Sequence, residues 1–341
     1  MIRFLIRRLL GAVVVVWIVS IVTFAIFQLA PHLSGQSPIY YYIAKQPPPA
    51  GSVQFKELEH AFGFDRPVPN QYWHWLTQIF HPHTVSNGGG GTATEAASCH
   101  VPCFGYSFKL HTEVSTLIWQ AIPVSLSLAV GASILWLAGG LLVGTISGLR
   151  PGSIFDRIGM VGTLAAVSVP IFFTGPILLL LVVYDWKWLP NISYASITSD
   201  PLQWLKSMIL PWIALAFAFA ALYARLTRAN IIETMGEDYI RTARAKGLSR
   251  RKVVIKHGLR AALTPIVTIF GIDLGTLIGT TVITETVFNL KGLGWLSIQA
   301  IRTQDLPVIM GVTLLAAVAL VVANVIVDAL YAVIDPRVRL S

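Results

Sequence analysis

Charge is scarce in this chain. Of its 341 residues only 12% are Asp, Glu, Lys or Arg, where soluble globular proteins carry about 25%. That is too little polarity to cover a water-facing surface, so the length does not read as two or three soluble domains. Acid is scarcer than base, at 16 against 25 residues. There are two cysteines, too few for a disulfide framework or a four-cysteine zinc site. No G-x-x-x-x-G-K-[ST] phosphate loop occurs, which argues against ATP hydrolysis by this chain.

What is plentiful is apolar sequence: 55% of residues are hydrophobic and the mean hydropathy is +0.68. A helix needs roughly 20 apolar residues to cross a bilayer. Six runs qualify, at about 9–30, 116–148, 157–184, 205–226, 262–284 and 307–334. The second is long for one crossing and reads as an interfacial helix followed by a span from near Pro123 to Gly148. The third contains Pro170 and Pro176, which predict a structural bend rather than a hinge. The first follows Arg3, Arg7 and Arg8. Its length exceeds a signal peptide's 7–15-residue apolar region, and Gln28-Leu29-Ala30-Pro31-His32 is a poor cleavage site, so it reads as an uncleaved anchor.

The net charge of +9 sits between the apolar runs, where a membrane protein carries its cytoplasmic Lys and Arg; this argues against nucleic acid as a partner. With the N-terminus inside, seventeen Lys and Arg fall in inner segments and eight in outer ones. Only four of those eight lie outside the long 31–113 segment. Both termini are therefore predicted to be cytoplasmic.

Residues 31–113 form an extracytoplasmic segment. Pro47-Pro48-Pro49 reads as stiff and extended, and Gly88-Gly89-Gly90-Gly91 as a flexible joint. Phe55 to Phe62 and Gln71 to Phe80 read as short amphipathic helices joined by a turn at Phe64-Asp65-Arg66-Pro67. The segment is expected to form a small ordered cap; a loosely packed loop is the competing reading. Cys99 and Cys103 are a candidate disulfide, because the outer face is oxidising and the spacing can close across a turn. Seven of the eight histidines also lie here, but none shows a typical zinc spacing, and no metal site is assigned.

The cytoplasmic loop 227–262 is the most informative stretch. A helix from about Asp238 to Lys246 should stop at Gly247 in the left-handed conformation, and a second should start near Ser249 as N-cap. Two short helices at an angle form a knob suited to a partner's groove. A basic loop that only touches anionic lipid is the competing reading.

Residue order separates the two. Arg241-Thr242-Ala243-Arg244-Ala245-Lys246-Gly247 resembles the coupling-loop motif of ABC importer permeases, Glu-Ala-Ala, three residues, Gly, then nine residues to Ile-x-Leu-Pro. Gly247, Ala243 and Leu259 match its Gly, second Ala and Leu. Arg241, Thr242, His257 and Arg260 depart from it in the manner of the dipeptide and oligopeptide permeases. Similar to that family too are Arg3-x-x-x-Arg7-Arg8-Leu9, Gly105-Tyr106-Ser107-Phe108, Thr284-Glu285-x-x-Phe288-Asn289 with Gly292-x-Gly294, Asp305-Leu306-Pro307, and Asp328-x-x-Tyr331-x-x-x-Asp335-Pro336-Arg337-x-Arg339. The chain most resembles the first, B-type, permease subunit, with an outer insertion from about His81 to Cys103.

The resemblance implies an all-α polytopic membrane protein: six transmembrane helices of the ABC type I importer permease fold, with an extracytoplasmic insertion between the first two. The expected divisions are 1–30, the tail and first helix; 31–113, the outer segment; 114–335, the transmembrane domain with coupling loop 227–262; and 336–341, a cytoplasmic tail. It implies a second permease, two cytoplasmic ATPases that bind ATP and Mg, an external substrate-binding protein, the lipid of the bacterial inner membrane, and no cofactor in this chain. The coupling residues it assigns are Arg241, Thr242, Ala243, Arg244, Ala245, Lys246, Gly247, Leu248 and Leu259. Packing of Ala243, Ala245, Leu248 and Val253 is expected to hold the ATPase joint. The cargo implied is di- or oligopeptide; nickel chelates, glutathione and haem are cargoes of similar relatives.

Asp273 stands in the fifth span, where an acid is expensive and faces protein or water. It reads as a structural acid capped by a neighbouring Thr or backbone, with contact to a peptide's amino end as the functional alternative. A membrane enzyme would need Tyr223, His257 and Glu285 together, and predicted topology scatters them. A proton-coupled transporter would need several intramembrane acids.

Overall fold

The computed structural model describes residues 2–29, 31, 35, 37–42, 49–86, 96–189 and 194–334. Pro47, Pro48, the Gly88–Gly91 run and the tail from Asp335 lie outside these. Five helices are long and apolar enough to cross a membrane, or six if one sharply bent pair counts as a single span. The chain divides into two compact units, residues 1–124 with 291–341, and residues 125–290.

In the first unit, α1 (Ile2–Phe24) runs into a π-helical stretch at Ala25–Leu29. Val13 and Leu10 on it are more than 60% exposed, as suits a helix whose solvent is lipid. Three short helices follow: α2 (Ile39–Tyr42), α3 (Val53–Phe62) and α4 (Val68–Gln78). Ser52 caps α3 by accepting from the Phe55 amide, and Gly63 ends it at φ 71°. The predicted turn at Phe64 to Pro67 is clamped by buried Gln71, whose amide donates to the carbonyls of Phe64 (3.1 Å) and Arg66 (2.7 Å). Ile39, Phe55 and Phe64 bury together. Ser20 of α1 and the Tyr72 hydroxyl of α4 hydrogen-bond at 2.8 Å. Two antiparallel ladders follow, β1 (His83–Ser86) with β2 (Ala96–Cys99), and β3 (Tyr106–Ser107) with β4 (Thr112–Glu113).

Helix α5 (Val114–Leu149) is unbroken for 36 residues, which corrects the expected interfacial helix before Pro123. Pro123 sits inside it, where it removes one backbone donor without ending the helix. Its first turns belong to the first unit: Val114, Ile118 and Ala121 pack with Val308 and Val312 of α13 (Leu306–Ile334) and with Leu293 and Leu296 of α12 (Leu293–Thr303). Helix α12 was not anticipated, because its 11 residues are too few and too mixed to register as a span.

The second unit holds the rest of α5, then α6 (Ile154–Ser168), α7 (Ile171–Leu178) continuing as a π-helical stretch to Asp185, α8 (Pro201–Gly236), α9 (Asp238–Ala245), α10 (Arg250–Lys252) and α11 (Arg260–Val287). The bend expected in the third run is sharp: α6 and α7 meet at 103°. The break falls at Val169–Pro170, both extended, because a residue before proline is driven out of the helical region. Pro176 lies within α7 and does not break it.

Glycine sets the approach of α5 to α8. At Gly140, Gly144 and Gly148 an added Cβ would lie 2.5, 2.5 and 2.8 Å from Tyr223, from the Ala224 carbonyl and Thr227, and from Ile231. This is the small-xxx-small device of membrane helices, which lets two backbones touch. The opposite stripe of α5, Leu126, Val130, Ile134, Leu142 and Ile146, is exposed.

Candidate functional site

The loop at 227–262 is built on a specific helix stop. Helix α9 has its N-cap at Glu237 and an acid, Asp238, in its first turn, which suits the positive end of a helix dipole. At its other end Gly247 adopts φ 75°. The Leu248 amide donates to the Ala243 carbonyl (3.3 Å) and the Gly247 amide to the Arg244 carbonyl (2.9 Å). This paired arrangement satisfies the orphan carbonyls of a helix end and needs a residue tolerant of positive φ.

The second helix departs from expectation. Ser249 occupies the expected N-cap, but its side chain makes no capping hydrogen bond. Helix α10 then passes through a π-helical stretch, Val253–Leu259, into α11. The loop is thus one short helix followed by the root of a long one.

Burial sorts the assigned residues. Ile240, Ala243 and Val253 are buried against Met235 of α8. This corrects the expectation that Ala243 and Val253 supply a partner joint: they hold the loop to its own chain. Gly258 lies against the same methionine, where a Cβ would meet its sulfur at 2.8 Å. Arg241, Thr242, Arg244, Ala245, Lys246, Gly247 and Leu248 face outward, and Leu259 is half-buried. Thr242 donates its hydroxyl to the Asp238 carbonyl at 3.0 Å. Arg241 and Asp238 approach at 3.4 Å with both side chains exposed, a pair worth little in water. Beside the loop, a cavity of about 650 Å³ runs between Gly148, Ile232, Met235, Arg244, Arg250 and Val254.

Helices α6 and α8 are tied close to this loop. Arg228 donates from Nε to Asp156 Oδ1 (2.6 Å) and from Nη2 to Oδ2 (2.8 Å). The same carboxylate accepts the Gly152 amide (2.8 Å), and Ser153 caps α6 through the Asp156 amide (3.2 Å). Neither residue was singled out in the sequence; Ser153-x-x-Asp156 was the available signal, as a capping pattern. Asn230 of α8 also donates to the Ala262 carbonyl of α11, at 3.2 Å.

Within the span, Asp273 is half-buried at the midpoint of α11 and accepts the Tyr223 hydroxyl at 2.7 Å. The expected Thr or backbone cap is therefore a tyrosine from α8 instead; Thr276 bonds only the Asp273 backbone carbonyl. Trp136 stacks on Phe219 with centroids 4.6 Å apart, and Tyr223 and Phe270 pack edge to face at 6.5 Å. Buried Glu285 accepts from Ser125 at 2.7 Å. Tyr223, Glu285 and His257 have separate surroundings and form no common centre.

The motif around Glu285 is a helix stop. Asn289 takes φ 50°, and the Leu290 amide donates to the Glu285 carbonyl at 2.8 Å. Gly292 is then the N-cap of α12. In the segment between α1 and α5, Cys99 and Cys103 are joined as a disulfide, Cα atoms 5.5 Å apart. His60 pairs with Asp65 at 2.8 Å and His100 with Glu113 at 3.0 Å; the His60 hydrogen bond holds the Asp65 carboxyl below its ordinary range. Among the described residues no three His, Cys, Asp or Glu side chains gather as metal ligands.

Two family profiles match the chain. Residues 140–340 match the binding-protein-dependent transport system inner membrane component family, and residues 1–129 match the N-terminal region of such membrane components. The dipeptide transport system permease protein DppB of Escherichia coli (strain K12) is 32% identical, covering 99% of both chains. A protein of Brucella abortus (strain 2308), provisionally described as a peptide transport system permease, is 35% identical, covering 98% of both. Among solved structures, an inward-facing MetNI methionine ABC transporter is similar with a TM-score of 0.47 and 20% identity, over 63% of this chain and 96% of that one.

Proposed function

We propose a function from one premise: the chain belongs to the family of binding-protein-dependent transport system inner membrane components. It is a multi-pass membrane subunit of a transporter, not an enzyme. In our reading it forms half of the path by which an ATP-driven importer moves di- or oligopeptides inward. A second permease supplies the other half. Two cytoplasmic ATPases bind the ATP and Mg, with no cofactor held in this chain, and an external binding protein delivers the cargo. Both termini are cytoplasmic, as the distribution of Lys and Arg favours.

The observation that carries the coupling role is the loop's construction. Its inner face, Ile240, Ala243 and Val253, is anchored on α8, while Arg241, Arg244, Ala245, Lys246 and Leu248 are left outward. An ATPase that grips this face and moves pulls on α8 through Met235 and on α11 through the π-helical root. The peptide cargo rests on likeness along nearly the whole length to relatives named for peptides and dipeptides.

The test is purification of the tagged chain from its native membrane in mild detergent, followed by reconstitution in vesicles. A second permease and two ATPases should accompany it, and a labelled tripeptide should accumulate only with ATP and the binding protein. A chain that emerges alone under several gentle conditions would sink the coupling reading. Uptake of a nickel chelate, glutathione or haem in place of peptide would sink the cargo reading.

A further inference from the structure

Asp273 is the one acid between Arg260 and Val287 that lies far from both ends of α11; at 1.5 Å per residue it is about 20 Å from either. Helix α11 has no Lys or His, and its one Arg is at its start. Among the described residues no basic side chain pairs with Asp273, and the Tyr223 hydroxyl is the side-chain donor that reaches it. An ionisable group at that depth does not face lipid; it faces a partner or water.

The tyrosine is held firmly. Tyr223 is fully buried, its Cβ sits over Gly140 where no side chain would fit, and Trp136 and Phe270 pack its ring. It fixes Oδ2 and leaves Oδ1 on a residue that is only half-buried. A half-accessible carboxylate, rigidly presented inside a membrane helix with no basic partner among the described residues, is complementary to a mobile cation. A peptide supplies one: its α-amino group, with a pKa of about 7.7–8.0, carries positive charge at neutral pH.

We propose that Asp273, positioned by Tyr223, is a contact for the α-ammonium group of the peptide as it crosses. This rests on the peptide-importer reading above. Asp273 receives an N–H hydrogen bond from the ammonium group while the side chains of the peptide pass unread, so the site favours a free amino terminus over a particular sequence.

The experiment uses the whole complex in vesicles with the same external binding protein in every arm. It compares kcat/KM for a tripeptide with a free amino terminus and for its N-acetylated form. Asp273→Asn keeps an acceptor for Tyr223 and removes the charge. The free-to-acetylated ratio is expected to fall by roughly tenfold in this variant, the scale of a lost charge pair, while the acetylated peptide is still carried. Tyr223→Phe keeps the ring and frees Oδ2, and should raise KM for the free peptide about three- to tenfold with kcat unchanged. A wild-type ratio in Asp273→Asn overturns the proposal, as does an unchanged KM in Tyr223→Phe. Loss of the second permease from Asp273→Asn on purification also overturns it, in favour of an ion pair between subunits. If the wild-type complex carries no peptide at all, the importer reading fails first and this one with it.

Discussion

Ser107 donates its hydroxyl to Asp305 Oδ2 at 2.5 Å, joining residues 198 apart in the chain. Lys109 donates to the carbonyls of Thr303 and Gln304 next to it. Two sequence motifs, Gly105 to Phe108 and Asp305 to Pro307, are thus the two halves of one fastening between β3 and the turn before α13. Gln304 makes that turn at φ 56°, and the Asp305 amide closes it on the Ala300 carbonyl at 2.8 Å.

Burial pushes the Asp305 carboxyl above its ordinary 3.8, against the opposing pull of the Ser107 hydrogen bond and Lys109. The folded state therefore holds this proton more tightly than the unfolded state. Its contribution is greatest below the ordinary value and declines as pH rises through the raised one. Thermal unfolding in detergent, followed upward from pH 4, should show that decline, and Asp305→Asn should remove it. Ser107→Ala, which deletes a group that lowers the value, should extend the decline to higher pH. A wild-type profile that rises across this window would contradict the assignment.

Gly144 meets backbone as well as side chain, so its neighbours have little room to yield. Gly144→Val should cost at least the 1–3 kcal/mol or so typical of overpacking, read as a lower midpoint in thermal melts. Gly162→Val is the control, because an added Cβ there meets nothing within 4 Å. Equal effects at both positions would mean that α5 and α8 do not approach through the glycine stripe.

Three substitutions separate the two faces of the loop. Gly247→Val forces a β-branched residue to φ 75° and should cost about 1–2 kcal/mol, loosening α9. Ala243→Arg should damage the chain itself, lowering its melting temperature before any partner is added. Ala245→Trp lies on the outward face and should leave the isolated chain's stability unchanged while reducing ATPase recovery on co-purification several-fold. Full ATPase recovery with Ala245→Trp would remove that face from the docking surface.

The disulfide closes a five-residue loop, for which chain entropy gives about 2 kcal/mol. Replacing both cysteines with serine should lower stability by that amount or less. A maleimide mass-shift assay on the denatured protein should add no label before reduction and two after it. Labelling without reduction would show free thiols.

The spans, the short helices after α1 and the loop could be read from the sequence because each is a one-dimensional signal. Apolar runs near Val13, Leu142 and Val312 report lipid wherever they sit, and Gly247 reports a helix stop. The Gly140, Gly144, Gly148 series was present in the sequence too, but spacing does not name the helix it meets. What only tertiary structure decided is which side chains face one another. Ala243 turned inward because α9 packs on Met235, a fact absent from its own heptad. Tyr223 found Asp273, and Arg228 found Asp156, across 50 and 72 residues. The 103° turn at Pro170 likewise needed three dimensions, since proline marks where a helix stops and the packing of the neighbouring helices sets the angle at which the next one leaves.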